Sequence, residues 1–135
     1  MKKIIIGGLI AGLVIFVVGM IFGNLTAELY ELSPMSFFKP MDQAWFIKMI
    51  IYDFALGLLL AYVYSVIKVG VPGSGINKGL LFGLLIFLVG TLPGLTLTQM
   101  TMNIRNKLIF MWALNGLINY LLAGSVIELV DEKIK

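Results

Sequence analysis

Four long apolar runs govern what this chain can become: Ile4 to Gly23, Ala44 to Ile67, Ile76 to about Thr98, and Leu108 to about Val130. Each reaches the roughly 20 residues that a helix needs to cross a hydrocarbon core. Backbone polar groups in hydrocarbon must be satisfied within the chain, so the runs are read as membrane helices. Of 135 residues, 60% are hydrophobic and only 13% charged, with a mean hydropathy of +1.03. Outside the runs only short connections and two short tails remain, which leaves no room for a soluble domain. The expected fold class is all-α and membrane-embedded: one transmembrane domain over residues 1–135, with the lipid bilayer as its first partner.

The chain also states one apolar phrase twice. "GLIAGLVIFVVGMIFG" (8–23) and "GLLFGLLIFLVGTLPG" (79–94) align at a constant offset of 71, matching Gly8 to Gly79, Gly12 to Gly83, Gly19 to Gly90 and Gly23 to Gly94. "AWFIKMIIYDFALG" (44–57) parallels "MWALNGLINYLLAG" (111–124) at an offset of 67, so the four-residue difference falls in a connecting loop. Each repeat is therefore a helical hairpin, over about 4–68 and about 76–130. A hairpin returns the chain to its starting side. Two successive hairpins must then stand parallel, related by a pseudo-two-fold axis along the membrane normal. At about 100° per residue, residues 12, 19 and 23 point about 40°, 20° and 60° from Gly8, a single narrow stripe. Gly79, Gly83, Gly90 and Gly94 form its copy. Such stripes allow close backbone approach in lipid, so both are predicted to be helix-packing faces, the first and third spans meeting either each other or the second and fourth.

The repeats diverge where Pro93 replaces Phe22. Proline lacks an amide donor and crowds the preceding turn, so the third span is expected to kink or end near Thr91 to Gly94. Thr96, Thr98, Gln99, Thr101 and Asn103 follow, available to freed carbonyls or to a small wet cavity. The first outer loop, "AELYELSPMSFFKPMDQAWF", carries Phe37, Phe38, Trp45 and Phe46, which suit an interfacial aromatic belt on a surface segment. Lys2, Lys3, Lys68, Lys78, Lys133 and Lys135 fall on the side of the termini, against Lys39, Lys48, Arg105 and Lys107 opposite. That bias places both termini in the cytoplasm. The opening "MKKIII" has the charged start of a signal peptide, but its apolar run is longer than an h-region and recurs internally, so it is read as a membrane helix.

Asp53 stands about ten residues into the second span. A carboxylate at that depth costs on the order of 3 kcal/mol unless it faces the bundle interior, finds a partner or is protonated. Tyr52 and Asp53 correspond to Asn119 and Tyr120 in the repeat, and Asn115 lies one turn before Asn119. These five residues are the predicted intramembrane polar site. They are either interhelical hydrogen-bonding groups or a proton- or cation-linked site. Glu28, Glu31, Glu128, Asp131 and Glu132 lie near span ends, where water or lysines suffice.

The chain has no cysteine and no histidine, which removes disulfides, thiol chemistry, His-ligated haem and the common zinc sites. There is no nucleophile with a base, no paired carboxylates, no HExxH, and "VGVPGSGINKG" lacks the features of a phosphate loop. No enzyme activity, metal or cofactor is expected. The net charge of +3 is spread over helix ends, so nucleic acid is not an expected partner.

"GLVIFVVGMIFG", the Trp-led second span ending "GLLLAYVYSVI", then "GLLFGLLIFLVGTLPG" and the closing "YLLAGSVIELV" resemble small four-helix prokaryotic integral membrane proteins of unknown function. The resemblance implies a protein of the inner membrane and carries no functional residues. The primary functional expectation is a non-enzymatic protein that associates, with itself or with a membrane partner, through glycine stripes. The alternatives are a small transporter or channel subunit built around Asp53, and a binder of lipid or small apolar ligands.

Overall fold

The computed structural model describes residues 1–32 and 39–134, and every regular element among them is helical. Helix α1 is Lys2–Glu31 and α2 is Gln43–Ile67. Helix α3 (Gly75–Ile86) passes through a π turn (Phe87–Thr91) into α4 (Leu92–Thr101), and α5 is Asn106–Lys133. With α3 to α4 taken as one rod, four helices are long and apolar enough to cross a membrane.

Helix α1 runs past Gly23 to Glu31, farther than its apolar stretch. The added residues, "NLTAELYE", contain no helix breaker, and Thr26 donates its hydroxyl to the Phe22 carbonyl at 2.7 Å. Trp45 and Phe46, which open the expected second span, occupy the first turn of α2. There the Asp42 carboxylate accepts the Trp45 amide at 2.8 Å and caps the helix. Phe37 and Phe38, the rest of the predicted belt, lie outside the described residues.

Near Pro93 the rod changes its turn rather than ending. The Leu92 amide reaches back five residues to the Phe87 carbonyl, and Pro93 sits at the very start of α4. A wider turn there relieves the crowding that proline imposes on an ordinary helix. Thr96, Thr98 and Thr101 donate to the carbonyls of Leu92, Gly94 and Leu97 at 2.9, 2.9 and 2.7 Å. Their hydroxyls serve their own helix.

Packing begins at the glycines of the first turns. A Cβ on Gly8 would lie 2.7 Å from the Leu58 Cα, and one on Gly12 would lie 2.8 Å from the Phe54 Cα. From the other side, a Cβ on Gly57 would lie 2.7 Å from the Gly12 Cα. The second hairpin makes the corresponding contacts: Gly79 against Ser125 Cα at 2.7 Å, and Gly83 against Leu121 Cα at 2.9 Å. Real side chains do not tolerate such distances, so α1 on α2 and α3 on α5 each need glycine there.

The second half of each stripe does not pack, contrary to the sequence expectation. A Cβ on Gly19 would meet only the Met49 Cε at 3.9 Å, and at Gly23, Gly90 and Gly94 it would meet nothing within 4 Å. The helices of each hairpin touch near one end and part toward the other.

The two halves are also not placed by a strict two-fold. Helix α1 packs along α5 as extensively as along α2, whereas α3 makes no comparable contact with α2. Small residues explain the imbalance. Gly7 and Ala11 open a second close face on α1, where a Cβ on Gly7 would lie 3.8 Å from the Ile127 Cα. At the offset of 71, the same places in α3 hold Lys78 and Phe82. Those side chains keep α2 at a distance, and the halves meet there through the rings of Tyr64 and Phe82, 4.9 Å apart.

The core forms at the end of the bundle that carries both termini. Ala11, Leu60, Ala61, Tyr64, Phe82 and Ile127 are buried together, joined by Val71 from the α2–α3 connection. That connection turns through Gly73 and Gly75, whose φ values of +102° and +54° favour glycine. At the opposite end, Trp112 donates to the Tyr30 hydroxyl at 2.6 Å, which ties the end of α1 to the start of α5.

Candidate intramembrane site

Where the hairpins part, they enclose a pocket of about 780 Å³. Gly19 and Gly23, free of packing duty, line it, as does Gly116 on α5. Ile15, Leu56 and Tyr120 belong both to its wall and to the packing of the core, so they form its floor. Tyr30, Glu31 and Met41 stand at its rim, at the loop end of α1 and just ahead of α2. The pocket therefore reaches from the loop end toward mid-bundle and stops at the core.

All five residues of the predicted polar site, Tyr52, Asp53, Asn115, Asn119 and Tyr120, line this one pocket. Asp53 lies ten residues past Gln43, about 15 Å along α2, and Asn119 lies thirteen past Asn106, about 20 Å along α5. Both are buried, 6% and 7% exposed. The Asn119 amide donates to Asn115 Oδ1 at 3.0 Å, one turn away on the same helix. Asp53 Oδ2 and Asn119 Oδ1 have no hydrogen-bond partner among the described residues. Asp53 is thus not joined by hydrogen bonds to Asn or Tyr across the bundle, because α2 and α5 scarcely touch at this level. Tyr52 edges the pocket but turns mostly outward, at 62% exposed.

Two buried acceptors without donors are costly in an apolar interior. The ion pairs among the described residues both form at Asp131, near the termini, and none reaches Asp53. Aromatic rings cover much of the remaining wall: Phe22, Tyr30, Trp45, Phe46 and Trp112. An amphipathic molecule fits this lining, with its apolar body against rings and methionines and a donor group at the depth of Asp53.

Glu128 departs from the sequence reading, which left it to water or lysine at a span end. It is only 4% exposed and accepts the Tyr64 hydroxyl, itself fully buried. Depth held the clue: Tyr64 lies three residues from the end of α2 and Glu128 five from the end of α5, so the two stand level. Asp131, one turn on, accepts Lys68 Nζ at 2.7 Å and lies 3.8 Å from Lys3 Nζ. The Glu132 carboxylate accepts the Gly75 amide at 3.1 Å. Four helices are thus tied together below the pocket. The lining roles of Trp45, Trp112 and Gly116 also escaped sequence reading, since neither periodicity nor spacing marks a hollow.

No family model, curated protein or solved structure matches the chain.

Proposed function

We propose that this chain is an integral membrane protein of the prokaryotic inner membrane, built from two duplicated hairpins standing the same way up. Its function in this reading is to hold a small amphipathic ligand or lipid in the intramembrane pocket. The supporting observation is the pair of unpartnered buried oxygens, Asp53 Oδ2 and Asn119 Oδ1, on residues that line a pocket of about 780 Å³. The matching contacts of Gly8, Gly12 and Gly57 with those of Gly79, Gly83 and Gly124 support the duplication.

Native mass spectrometry of protein released from its own membrane tests the ligand. Gly19→Phe fills the pocket, because a Cβ there meets only the tip of Met49, and leaves the glycine contacts of the hairpins untouched. The expected result is a bound mass on wild type that is lost from Gly19→Phe. A bare wild type, or an adduct equal on both, would sink the reading.

Self-association is a second reading, favoured by Gly90 and Gly94, where an added Cβ would meet nothing within 4 Å among the described residues. Close helix approach between copies would use them. Cross-linking in native membranes is the check, and a strict monomer at every expression level removes it.

A further inference from the structure

We infer that the ligand of this pocket is an organic ammonium ion with an apolar body, an inference that rests on the ligand-binding reading above. The acidic and basic residues of its described lining are Asp53 and Glu31, with no lysine or arginine among them. Asp53 sits deep and Glu31 at the rim, so acidic side chains stand at both depths of the pocket. The Asp53 carboxylate is 6% exposed, has one oxygen without a donor, and is far from the ion pairs at Asp131. A carboxylate in that setting calls for a countercharge.

The second acceptor sharpens the choice. Asn119 Oδ1 also lacks a donor, and its own amide is already committed to Asn115. An ammonium group carries charge and several N–H donors together, whereas a hydroxyl carries one donor and no charge. A carboxylate or phosphate would be repelled and would find no cation. The same lining carries Trp45, Phe46, Trp112 and Tyr120, ring types that attract cations in desolvated sites. The methionine and leucine walls, Met20, Met49, Leu56 and Leu95, accept the apolar body.

The test uses wild-type protein in phosphatidylcholine nanodiscs at neutral pH, titrated with 4-phenylbutylamine and, in parallel, with 4-phenylbutanol. The two share an apolar body and differ in charge. Trp45 and Trp112, the chain's two tryptophans, both line the pocket, so their fluorescence reports occupancy after correction for partition into empty nanodiscs. The ammonium is expected to bind about tenfold tighter, as hydrogen bonds to charged groups exceed neutral ones by that order. In Asp53→Asn the preference should vanish while the alcohol still binds. Equal affinities on wild type overturn the inference without need of any variant, and so does a preference that survives Asp53→Asn. Binding of neither probe overturns the pocket reading and this inference with it; binding of the alcohol alone overturns this inference only.

Replacing part of the phosphatidylcholine with phosphatidylethanolamine separates two sources of ammonium. Unchanged affinity assigns a free amine, the result expected because a lipid headgroup would bring a phosphate that the lining does not meet. A weakened apparent affinity assigns the headgroup itself, with ammonium recognition retained.

Discussion

A single hydrogen atom decides how near two helices come at Gly57. A methyl group there would lie 2.7 Å from the Gly12 Cα and press on the Gly8 carbonyl, both backbone and unable to yield. Gly57→Ala should therefore force α1 from α2 and destabilise the fold by about 1–3 kcal/mol, as overpacking does. Gly83→Ala should act alike, whereas Gly94→Ala meets open space and should be neutral. Unfolding in mixed detergent micelles compares the three, and equal losses would contradict the assignment. Tyr64 offers a second residue-scale test, because Phe in its place leaves the buried Glu128 carboxylate without its donor. A loss of about 1–3 kcal/mol is expected for Tyr64→Phe. Adding Glu128→Leu to that variant should restore part of it, since two apolar partners leave nothing unsatisfied. A double variant weaker than the single would refute this.

Helices α1, α2 and α5 share one electrostatic tie at the terminal end. Lys68 of α2 and Lys3 of α1 converge on Asp131 of α5, and Lys3 also donates to the Asp131 carbonyl at 2.9 Å. The groups are part-exposed, so Asp131→Asn should cost no more than about 1 kcal/mol. Salt screens such pairs, and the difference between wild type and variant should shrink between low and high ionic strength in the same unfolding measurement. A gap that persists at high salt would point to a packing role instead. The π turn works at this scale too. It sets Phe87 and Thr91 against Gly116, where a Cβ would lie 3.1 Å from the Thr91 methyl. The rod thereby closes one side of the pocket, with Leu95 of α4 continuing the wall.

At the scale of the whole molecule, the bundle is hollow at its loop end and solid at its terminal end. Asn24 lines the hollow while Tyr64 is fully buried in the core. The chain contains no cysteine, so one introduced thiol reports one place. The orientation expected from the lysines, with both termini cytoplasmic, predicts that Asn24→Cys reacts with a membrane-impermeant thiol reagent added outside intact cells. Tyr64→Cys should stay unreactive from either side until the protein is denatured. Labelling of position 24 only from the cytoplasmic face would invert the orientation. Labelling of position 64 in folded protein would show that the core does not close the terminal end.

Four long helices, and close packing at Gly8, Gly12, Gly79 and Gly83, were legible in the residues, but not which helix each glycine meets. Hydrophobic length and side-chain volume are local quantities that survive any arrangement of the rods. A similar depth for Asp53 and Asn119 was expected from the repeated phrases, but the pocket that gathers them with Asn115 was not. Tertiary structure alone decided that Gly19 and Gly23 line a hollow, that Gly90 and Gly94 meet nothing, and that Glu128 is buried against Tyr64. It also decided the lopsided docking of the halves, in which Gly7 and Ala11 admit α5 where Lys78 and Phe82 hold α2 away. A glycine licenses close approach without compelling it, and which of several small faces is used depends on how all four rods fit at once.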